Sequence, residues 1–249
     1  MICRAPLASG LVANAVVCLP TYNERENLES MLRALEPLGV DVLVVDDNSP
    51  DGTGEIADRL AHELDFVSVL HRERKEGLGP AYLAGFRRAL AGDYEYVLEM
   101  DCDFSHDPKD VPRLIAACND GADLALGSRY VPGGGTENWG LVRRFVSAGG
   151  SLYARVILGV DIHDLTGGFK CYRRRVLERI DLDGIHSKGY AFQIEGTYRT
   201  LCAGFRVVEV PIRFVDRTEG HSKMSRAIVL EAIEKVPALR LAALRGRLR

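Results

Sequence analysis

Two aspartates, Asp101 and Asp103, flank a cysteine at the end of an apolar segment, residues 94–100. In an extended chain, residues two apart share a face, so both carboxylates are predicted to point the same way and Cys102 into the protein. Two adjacent carboxylates repel each other, and a divalent cation removes that repulsion. Mg²⁺ or Mn²⁺ suits such a pair, because it accepts one or two carboxylates and completes its shell with water and phosphate oxygens. The structural alternative is a pair of aspartates that cap the helix expected near Pro108.

A second polar segment, LPTYNE at residues 19–24, ends the first apolar run of the chain. Pro20 and Tyr22 would form a rigid apolar wall suited to a nucleobase, and Glu24 would reach donors on a sugar or a base. The same segment also suits the N-terminus of a helix, capped by one of its own polar residues. The two interpretations are compatible.

A third acidic segment, VVDDNSPDGT at residues 44–53, ends the second apolar run. Asp46 and Asp47 are suited to accept hydrogen bonds from ribose hydroxyls or base N–H groups, whereas Asp51 and Gly52 are typical of a turn. Three acidic strand ends on one rim predict a nucleoside-diphosphate site with a metal ion. The sequence contains no GxxxxGK loop, and no GxGxxG follows the first strand.

Alternating β-branched runs and helical segments indicate which elements position these residues. The pattern predicts βαβ units around a mostly parallel sheet, whose ligands bind at the carboxyl ends of the strands. Strands are expected at residues 15–19, 41–45, 66–70, 94–100 and 123–126. Helices are expected at residues 24–35, 53–64, 79–90 and 108–117.

The regular alternation stops near Tyr130. Beyond it we expect a flexible loop at 131–135, a helix at 141–158, a second helix at 190–203 and two strands around Pro211. No linker marks a second folded unit. The predicted organisation is a disordered leader at 1–14, one α/β domain at 15–227 and a basic amphipathic helix or tail at 228–249.

Composition and charge limit the classes of function. The chain has 249 residues, 47% of them hydrophobic, and a formal net charge of −3. This charge gives no general affinity for nucleic acid, so no nucleic-acid partner is expected. The six cysteines form no CxxC pair and no zinc-ligand cluster, which indicates reduced thiols and a cytoplasmic location. No apolar run reaches the ~18–20 residues of a membrane-spanning helix.

The ordered motifs resemble those of a known enzyme family. The three segments above resemble inverting family 2 glycosyltransferases of the GT-A fold, whose Rossmann-like half binds the nucleotide. Three further motifs, GSRY at 127–130, DLTGGFK at 164–170 and RTEGHSK at 217–223, are similar to those of dolichol-phosphate (polyprenol-phosphate) mannose synthases. This resemblance implies GDP-mannose as donor, a polyprenyl phosphate as acceptor and Mg²⁺ or Mn²⁺ as cofactor.

The resemblance also assigns roles to individual residues. It implies donor binding by Pro20, Tyr22, Glu24, Val45, Asp47, Asp101, Cys102, Asp103, Arg129, Arg217 and Lys223. It implies metal binding by Asp101, Asp103 and Ser105, where Ser105 replaces a Gln of some members. It implies acceptor-phosphate binding by Arg129, Arg143 and Ser147, with Arg144 as an alternative to Arg143. The catalytic set would be Asp101, Asp103, Arg217 and Lys223, the last two on a loop that closes over the pyrophosphate.

A phosphate acceptor is already anionic, so the implied mechanism needs no strong general base. A lipid acceptor also implies contact with the cytoplasmic face of a membrane, through residues 141–158, residues 228–249 or a membrane-anchoring partner protein.

Three other functions remain open at this point. They are a UDP-sugar-dependent transferase acting on a lipid phosphate or saccharide, a metal-dependent nucleotidyltransferase or phosphatase, and a catalytically silent binding protein.

Overall fold

The computed structural model describes residues 14–187, 189–216 and 226–248. Its strands are β1 (Ala15–Thr21), β2 (Asp41–Asp46), β3 (Val67–His71), β4 (Tyr96–Glu99), β5 (Leu124–Ser128), β6 (Gly135–Glu137), β7 (Lys170–Arg173), β8 (Val207–Pro211) and β9 (Arg213–Val215). Its helices are α1 (Leu28–Leu35), α2 (Thr53–Glu63), α3 (Leu78–Leu90), α4 (Val111–Asn119), α5 (Leu141–Leu158), α6 (Arg174–Arg179), α7 (Gly189–Cys202) and α8 (Arg226–Leu244). Short 3₁₀ turns cover Glu36–Leu38 and Pro108–Asp110.

Seven strands form one sheet in the order β3-β2-β1-β4-β7-β5-β8. Strand β7 runs antiparallel to β4 and β5, and the other neighbouring pairs are parallel. Strands β6 and β9 form a separate parallel pair. The predicted α/β architecture with a mostly parallel central sheet is confirmed.

The strands are continuous apolar runs because helices cover both faces of the sheet. Along β1, Val17 and Leu19 pack into the layer that holds α1, α2 and α4. Val16 and Cys18 point the opposite way, into the layer that holds α3. A third apolar cluster joins α5, α7 and α8.

Several predicted boundaries are wrong. The strand predicted at 94–100 ends at Glu99, and residues 102–106 form bends in which Phe104 has a left-handed φ of 57°. The aspartate pair therefore does not lie on an extended strand. The helix predicted at 24–35 begins at Leu28, because Asn23 has a φ of 58° and a turn follows it. Gly135, expected in a flexible loop, begins β6, while β6, β7 and α6 were not predicted.

The two ends of the chain were predicted to lie outside the α/β domain. Of the leader, only Asn14 is described, and its carbonyl accepts a hydrogen bond from the Glu95 N–H at 2.8 Å. Helix α8 packs against α5 and α7 with Val236 fully buried. None of the described helices combines the length and apolarity needed to cross a membrane. The three-part division of the chain stays a prediction.

Helices α3 and α7 approach each other closely at Gly79. A Cβ atom at this position would lie 2.6 Å from the Ser187 carbonyl oxygen and 3.0 Å from the Phe192 ring. Glycine is therefore required here by packing. By contrast, a Cβ atom at Gly150 in α5 would meet no atom within 4 Å.

Candidate active site

A cavity of about 470 Å³ opens where β1, β2, β4 and β5 end. It brings together nine of the residues predicted from the sequence: Pro20, Tyr22, Glu24, Asp47, Asp101, Cys102, Asp103, Arg129 and Arg143. Val45, Ser105 and Ser147 do not line this cavity. Arg217 and Lys223 lie outside the described residues.

The two aspartates of the predicted metal site are held by different partners. The Tyr82 hydroxyl donates to Asp101 Oδ1 at 3.3 Å. Burial and the nearby Asp101 charge raise the pKa of Tyr82 well above its ordinary value, so the phenol remains a donor. The Ser105 backbone N–H and hydroxyl both donate to Asp103 Oδ1, at 3.0 and 2.5 Å. Ser105 thus orients Asp103, and its predicted role as a metal ligand stays a prediction.

The two carboxylates suit Mg²⁺ or Mn²⁺, which needs few protein ligands, better than a metal ion that is bound by protein side chains on all sides. Among the residues that the structure describes, no three His, Cys, Asp or Glu side chains form a metal-binding group. Both ions accept two carboxylates with the remaining positions left to water and substrate phosphate. Cys102 is buried, and burial raises the pKa of its thiol well above the ordinary value, so it is not a thiolate ligand.

The two neighbouring acids at the end of β2, Asp46 and Asp47, have separate tasks. Asp46 Oδ1 accepts from the hydroxyls of Thr21, at 3.2 Å, and Ser49, at 2.6 Å, so Asp46 ties the ends of β1 and β2 together. Asp47 lines the cavity, and its Oδ1 accepts from Arg72 Nη1 at 2.5 Å. Burial raises the pKa of the Asp47 carboxyl, and the Arg72 guanidinium partly offsets that increase.

The predicted nucleobase wall carries a cation that the sequence analysis missed. Lys75 Nζ lies 3.7 Å from the centre of the Tyr22 ring, and both residues line the cavity. Glu24 lines the same cavity, and its Oε2 accepts from Asn27 Nδ2 at 3.0 Å. No motif marks Lys75, because it lies in a surface loop between β3 and α3.

Arg129 is the most tightly held cation of the cavity. Its Nε and Nη2 donate to the two oxygens of Asp164 at 2.7 and 2.6 Å, and its backbone N–H donates to Oδ2 at 2.9 Å. Burial alone would lower the pKa of the guanidinium, but Asp164 raises it above its ordinary value. Arg129 is thus a permanent charge in fixed orientation.

Arg143 is a further cation of the cavity, and its position differs from that of its neighbour Arg144. Arg143 lines the cavity and forms an ion pair with Asp216, whereas Arg144 is exposed and does not line the cavity. The ring of Trp139 contacts both arginines, with its centre 4.3 Å from Arg143 Cζ and 5.4 Å from Arg129 Cζ. The sequence analysis did not identify Trp139.

Ser147 lies at a second cavity, of about 340 Å³, between α5, α7 and α8. Its Oγ accepts a hydrogen bond from the Tyr130 hydroxyl at 2.8 Å. Apolar side chains such as Val146, Ile194 and Ile233 form much of the lining. The two cavities meet at shared lining residues, Thr166 and Tyr190.

A buried acid and a buried base, Glu99 and Lys170, lie close to residues 101–106, the aspartate loop. Lys170 Nζ donates to the backbone and side-chain oxygens of Gln193, at 2.8 and 2.6 Å, and lies 3.9 Å from Glu99 Oε2. Glu99 and Lys170 are both fully buried. Burial raises the pKa of Glu99 to about 7, and burial lowers the pKa of Lys170. Gln193 lines the cavity, so this polar cluster supports the cavity floor.

Comparison with known families gives this geometry a context. Residues 16–181 match the family described as glycosyl transferase family 2. The chain belongs to this family. It is 51% identical over 236 residues to a polyprenol monophosphomannose synthase of Mycolicibacterium smegmatis, an alignment that covers 94% of this chain and 88% of that protein. It is 52% identical to an undecaprenyl-phosphate mannosyltransferase of Micrococcus luteus, covering 92% of this chain and 97% of that protein. The predicted resemblance to polyprenol-phosphate mannose synthases is confirmed.

Solved structures of other glycosyltransferases share the fold. A glucosyl-3-phosphoglycerate synthase of Mycobacterium tuberculosis, in complex with Mn²⁺, UDP and glucosyl-3-phosphoglycerate, matches with a TM-score of 0.62 at 20% identity. The match covers 96% of this chain and 80% of that one. A mannosyltransferase of Pyrobaculum calidifontis, in complex with GDP-mannose and Mn²⁺, matches with a TM-score of 0.57 at 15% identity, covering 94% and 74%. The predicted GT-A fold is confirmed, and the protein is a glycosyltransferase.

Proposed function

We propose that this protein transfers mannose from GDP-mannose to a polyprenyl phosphate, giving polyprenyl-phosphate mannose and GDP. The main support for the proposal is that three surfaces, each suited to a different part of the substrates, line one cavity. An aromatic wall with acceptors suits a nucleoside, the aspartate pair suits a metal diphosphate, and the arginine pair suits a second phosphate. The two relatives that share half of the sequence are named for mannosyl transfer to such lipids.

The residues of the site suit a direct displacement. Mg²⁺ or Mn²⁺, held by Asp101 and Asp103, would neutralise charge on the diphosphate as it departs. Arg129 and Arg143 would hold the acceptor phosphate by guanidinium–oxygen contacts and aim one oxygen at the anomeric carbon. That oxygen is already anionic, so the attack requires no side chain to remove a proton. Attack opposite the diphosphate inverts the configuration at the anomeric carbon.

The second cavity supports a lipid rather than a sugar acceptor. It begins at Thr166, whose hydroxyl accepts a hydrogen bond from Arg129 Nη2 at 2.9 Å, and continues between apolar side chains of α5 and α8. A polyprenyl phosphate with its head at the arginines could therefore place its first apolar units there. Ser147 lines this second cavity, and its position there supports the proposal that it contacts the acceptor.

The outer surface around this cavity supports membrane contact. Phe145, Leu152 and Val156 of α5 are 77%, 59% and 68% exposed, and their spacing of seven and four residues places them on one face of the helix. Ile233 and Leu244 of α8 are also exposed. Apolar side chains at such spacing suit a helix lying in the interface of a bilayer, or a membrane-anchoring partner. We propose that the enzyme acts at the cytoplasmic face of a membrane.

Transfer is tested by incubating the purified protein with radiolabelled GDP-mannose, a polyprenyl phosphate in detergent and Mn²⁺ or Mg²⁺. We expect label in the organic phase that depends on the metal ion. Asp103→Asn should lower the rate at least about 100-fold, the usual scale for a lost electrostatic contribution to catalysis. The matched control is Asp65→Asn, which removes the same charge at an exposed site that does not line the cavity and should keep the wild-type rate.

The products decide between the proposed function and its alternatives. Release of GDP without labelled lipid would retain the donor and overturn the acceptor. Transfer from UDP-glucose but not from GDP-mannose would establish a UDP-sugar-dependent transferase. Release of pyrophosphate or inorganic phosphate would point to a nucleotidyltransferase or a phosphatase and would overturn glycosyl transfer by this site.

A further inference from the structure

The nucleobase end of the cavity carries a positive and a negative side chain beside an aromatic ring. Lys75 Nζ lies 3.7 Å from the centre of the Tyr22 ring. Asp47 lines the cavity together with both residues, and the Lys75 charge acts on its carboxyl. A base placed against Tyr22 therefore meets a carboxylate and an ammonium at the same end of the site.

The carboxylate is fixed, whereas the ammonium can be rearranged. The Asp47 backbone N–H donates to the Thr21 carbonyl at 3.1 Å, and its buried side chain is held by Arg72. The Arg72 guanidinium is itself held by Glu76 at 2.9 Å, and the Arg72 backbone N–H donates to the Asp46 carbonyl at 2.8 Å, so Arg72 has little freedom to adapt to a ligand. Lys75 is exposed and carries its ammonium on a flexible four-carbon stem.

The edges of the common bases respond differently to such a pair. Guanine presents the acceptor O6 beside two donors, N1–H and the N2 amine, so a carboxylate can accept from the donors while an ammonium donates to O6. Uracil presents one donor, N3–H, between two carbonyl acceptors, so the carboxylate would face at least one oxygen. Adenine presents the acceptor N1 beside its amine, and this acceptor also repels a carboxylate.

We propose that Lys75 is a specificity-determining residue for the base of the donor nucleotide, donating to O6 of guanine while Asp47 accepts from N1–H and the N2 amine. This inference rests on the proposed function, which supplies a nucleoside-diphosphate sugar as donor. The ammonium covers the face of Tyr22. Stacking of the base on that face moves the ammonium from the ring to the edge of the base.

Nucleotide binding in the presence of Mn²⁺, measured by calorimetry, tests Lys75 without any transfer reaction. The wild-type protein should bind GDP more tightly than UDP or ADP. Lys75→Met should weaken GDP binding about tenfold or more, the scale of a charge-assisted hydrogen bond, and change UDP binding less than about twofold. Lys75→Arg, which keeps a cationic donor, should retain part of the preference. Lys109→Met is the matched control, because Lys109 is exposed and does not line the cavity.

Inosine diphosphate distinguishes recognition of O6 by Lys75 from recognition of the N2 amine by Asp47. It lacks the N2 amine but keeps O6, so it should bind the wild-type protein more weakly than GDP and still lose affinity in Lys75→Met. Equal weakening of GDP and UDP by Lys75→Met would show that the ammonium acts on the phosphates, and would overturn the assignment while leaving GDP as donor. Tighter binding of UDP than GDP by the wild-type protein would overturn both the assignment and the GDP-mannose donor.

Discussion

Asp164 fixes the most buried cation of the cavity, and replacing it should separate the stability of the site from its activity. Asp164 is 0% exposed, and it holds Arg129 through two side-chain bonds and one backbone bond. In Asp164→Asn the volume and one acceptor oxygen remain, but the guanidinium stays buried without its counter-charge. Removing one partner of a buried ion pair typically costs about 3–5 kcal/mol. We therefore expect the free energy of unfolding to fall by about 3 kcal/mol, at the lower end because Asn still accepts a hydrogen bond.

A double variant shows whether the loss of stability in Asp164→Asn arises from the unpaired charge of Arg129. Arg129→Met combined with Asp164→Asn removes both charges, while the Asn oxygen can still accept the backbone N–H of residue 129. The double variant should regain most of the lost stability, since neutral replacement of a buried pair is often neutral or stabilising. It should nevertheless be inactive, because the proposed acceptor-phosphate cation is absent.

The assay is equilibrium unfolding in urea of the wild-type protein, both single variants and the double variant at one pH. Transfer activity of each protein is measured beside it. A loss below about 1 kcal/mol in Asp164→Asn would refute the strong buried pair described here, because the charge would then be stabilised by other groups. A double variant no more stable than Asp164→Asn would assign the loss to packing instead of charge.

Three further predictions concern other parts of the molecule. In the metal-free protein, burial raises the pKa of Glu99 from 4.5 to about 7. The protonated Glu99 carboxyl therefore contributes fully to the free energy of unfolding below pH 4.5, and this contribution should be lost as the pH rises through 7. In unfolding measurements made with a chelator, the free energy of unfolding of the wild-type protein should fall by about 3 kcal/mol over this pH range. Glu99→Gln should abolish that fall. Trp139→Leu should raise the KM for polyprenyl phosphate roughly tenfold, because two cation–π contacts that orient the arginines are lost, with little change in the KM for the donor. Gly79→Ala should destabilise the protein by about 2 kcal/mol in thermal unfolding, since the new methyl group meets the Ser187 carbonyl.

Each of these has its own control or contrary outcome. An unchanged pH profile in Glu99→Gln would show that the carboxyl is ionised in the folded protein well below neutral pH. Equal rises in both KM values in Trp139→Leu would indicate general damage to the site. Gly150→Ala, where the methyl group meets no atom within 4 Å, should be neutral or stabilising by up to about 1 kcal/mol.

The parts of the fold that are local in sequence were predictable. The run 15–19 is apolar throughout and forms the buried strand β1, and the spacing of apolar residues in 141–158 matches α5 at both ends. Strand β7 was missed because it has four residues, two of them cationic, and is recognised only by its pairing with β4 and β5. The aspartate loop was misplaced because the left-handed turn at Phe104 has no glycine to mark it.

For the candidate site, the sequence indicated which residues meet but not how they are held. The acidic strand ends converge because parallel strands end on one side of a sheet, which is a consequence of fold class alone. The orientation of Arg143 into the cavity depends on Asp216, which is 73 residues away, and on the ring of Trp139. The position of Lys75 over Tyr22 depends on the path of a surface loop. Contacts of this kind follow from tertiary packing and leave no periodic pattern in the chain.

Trp139 is the single tryptophan of the chain, and its ring contacts Arg129 and Arg143, which line the cavity. Its indole N–H is buried and makes no hydrogen bond to the described protein atoms. All indole fluorescence of the protein therefore originates at one point of the site. An anion that binds to these guanidinium groups changes the electric field at the ring, and with it the emission wavelength and intensity. The protein thus carries an intrinsic optical reporter of occupancy, with which binding of the proposed acceptor can be titrated without a label and without turnover.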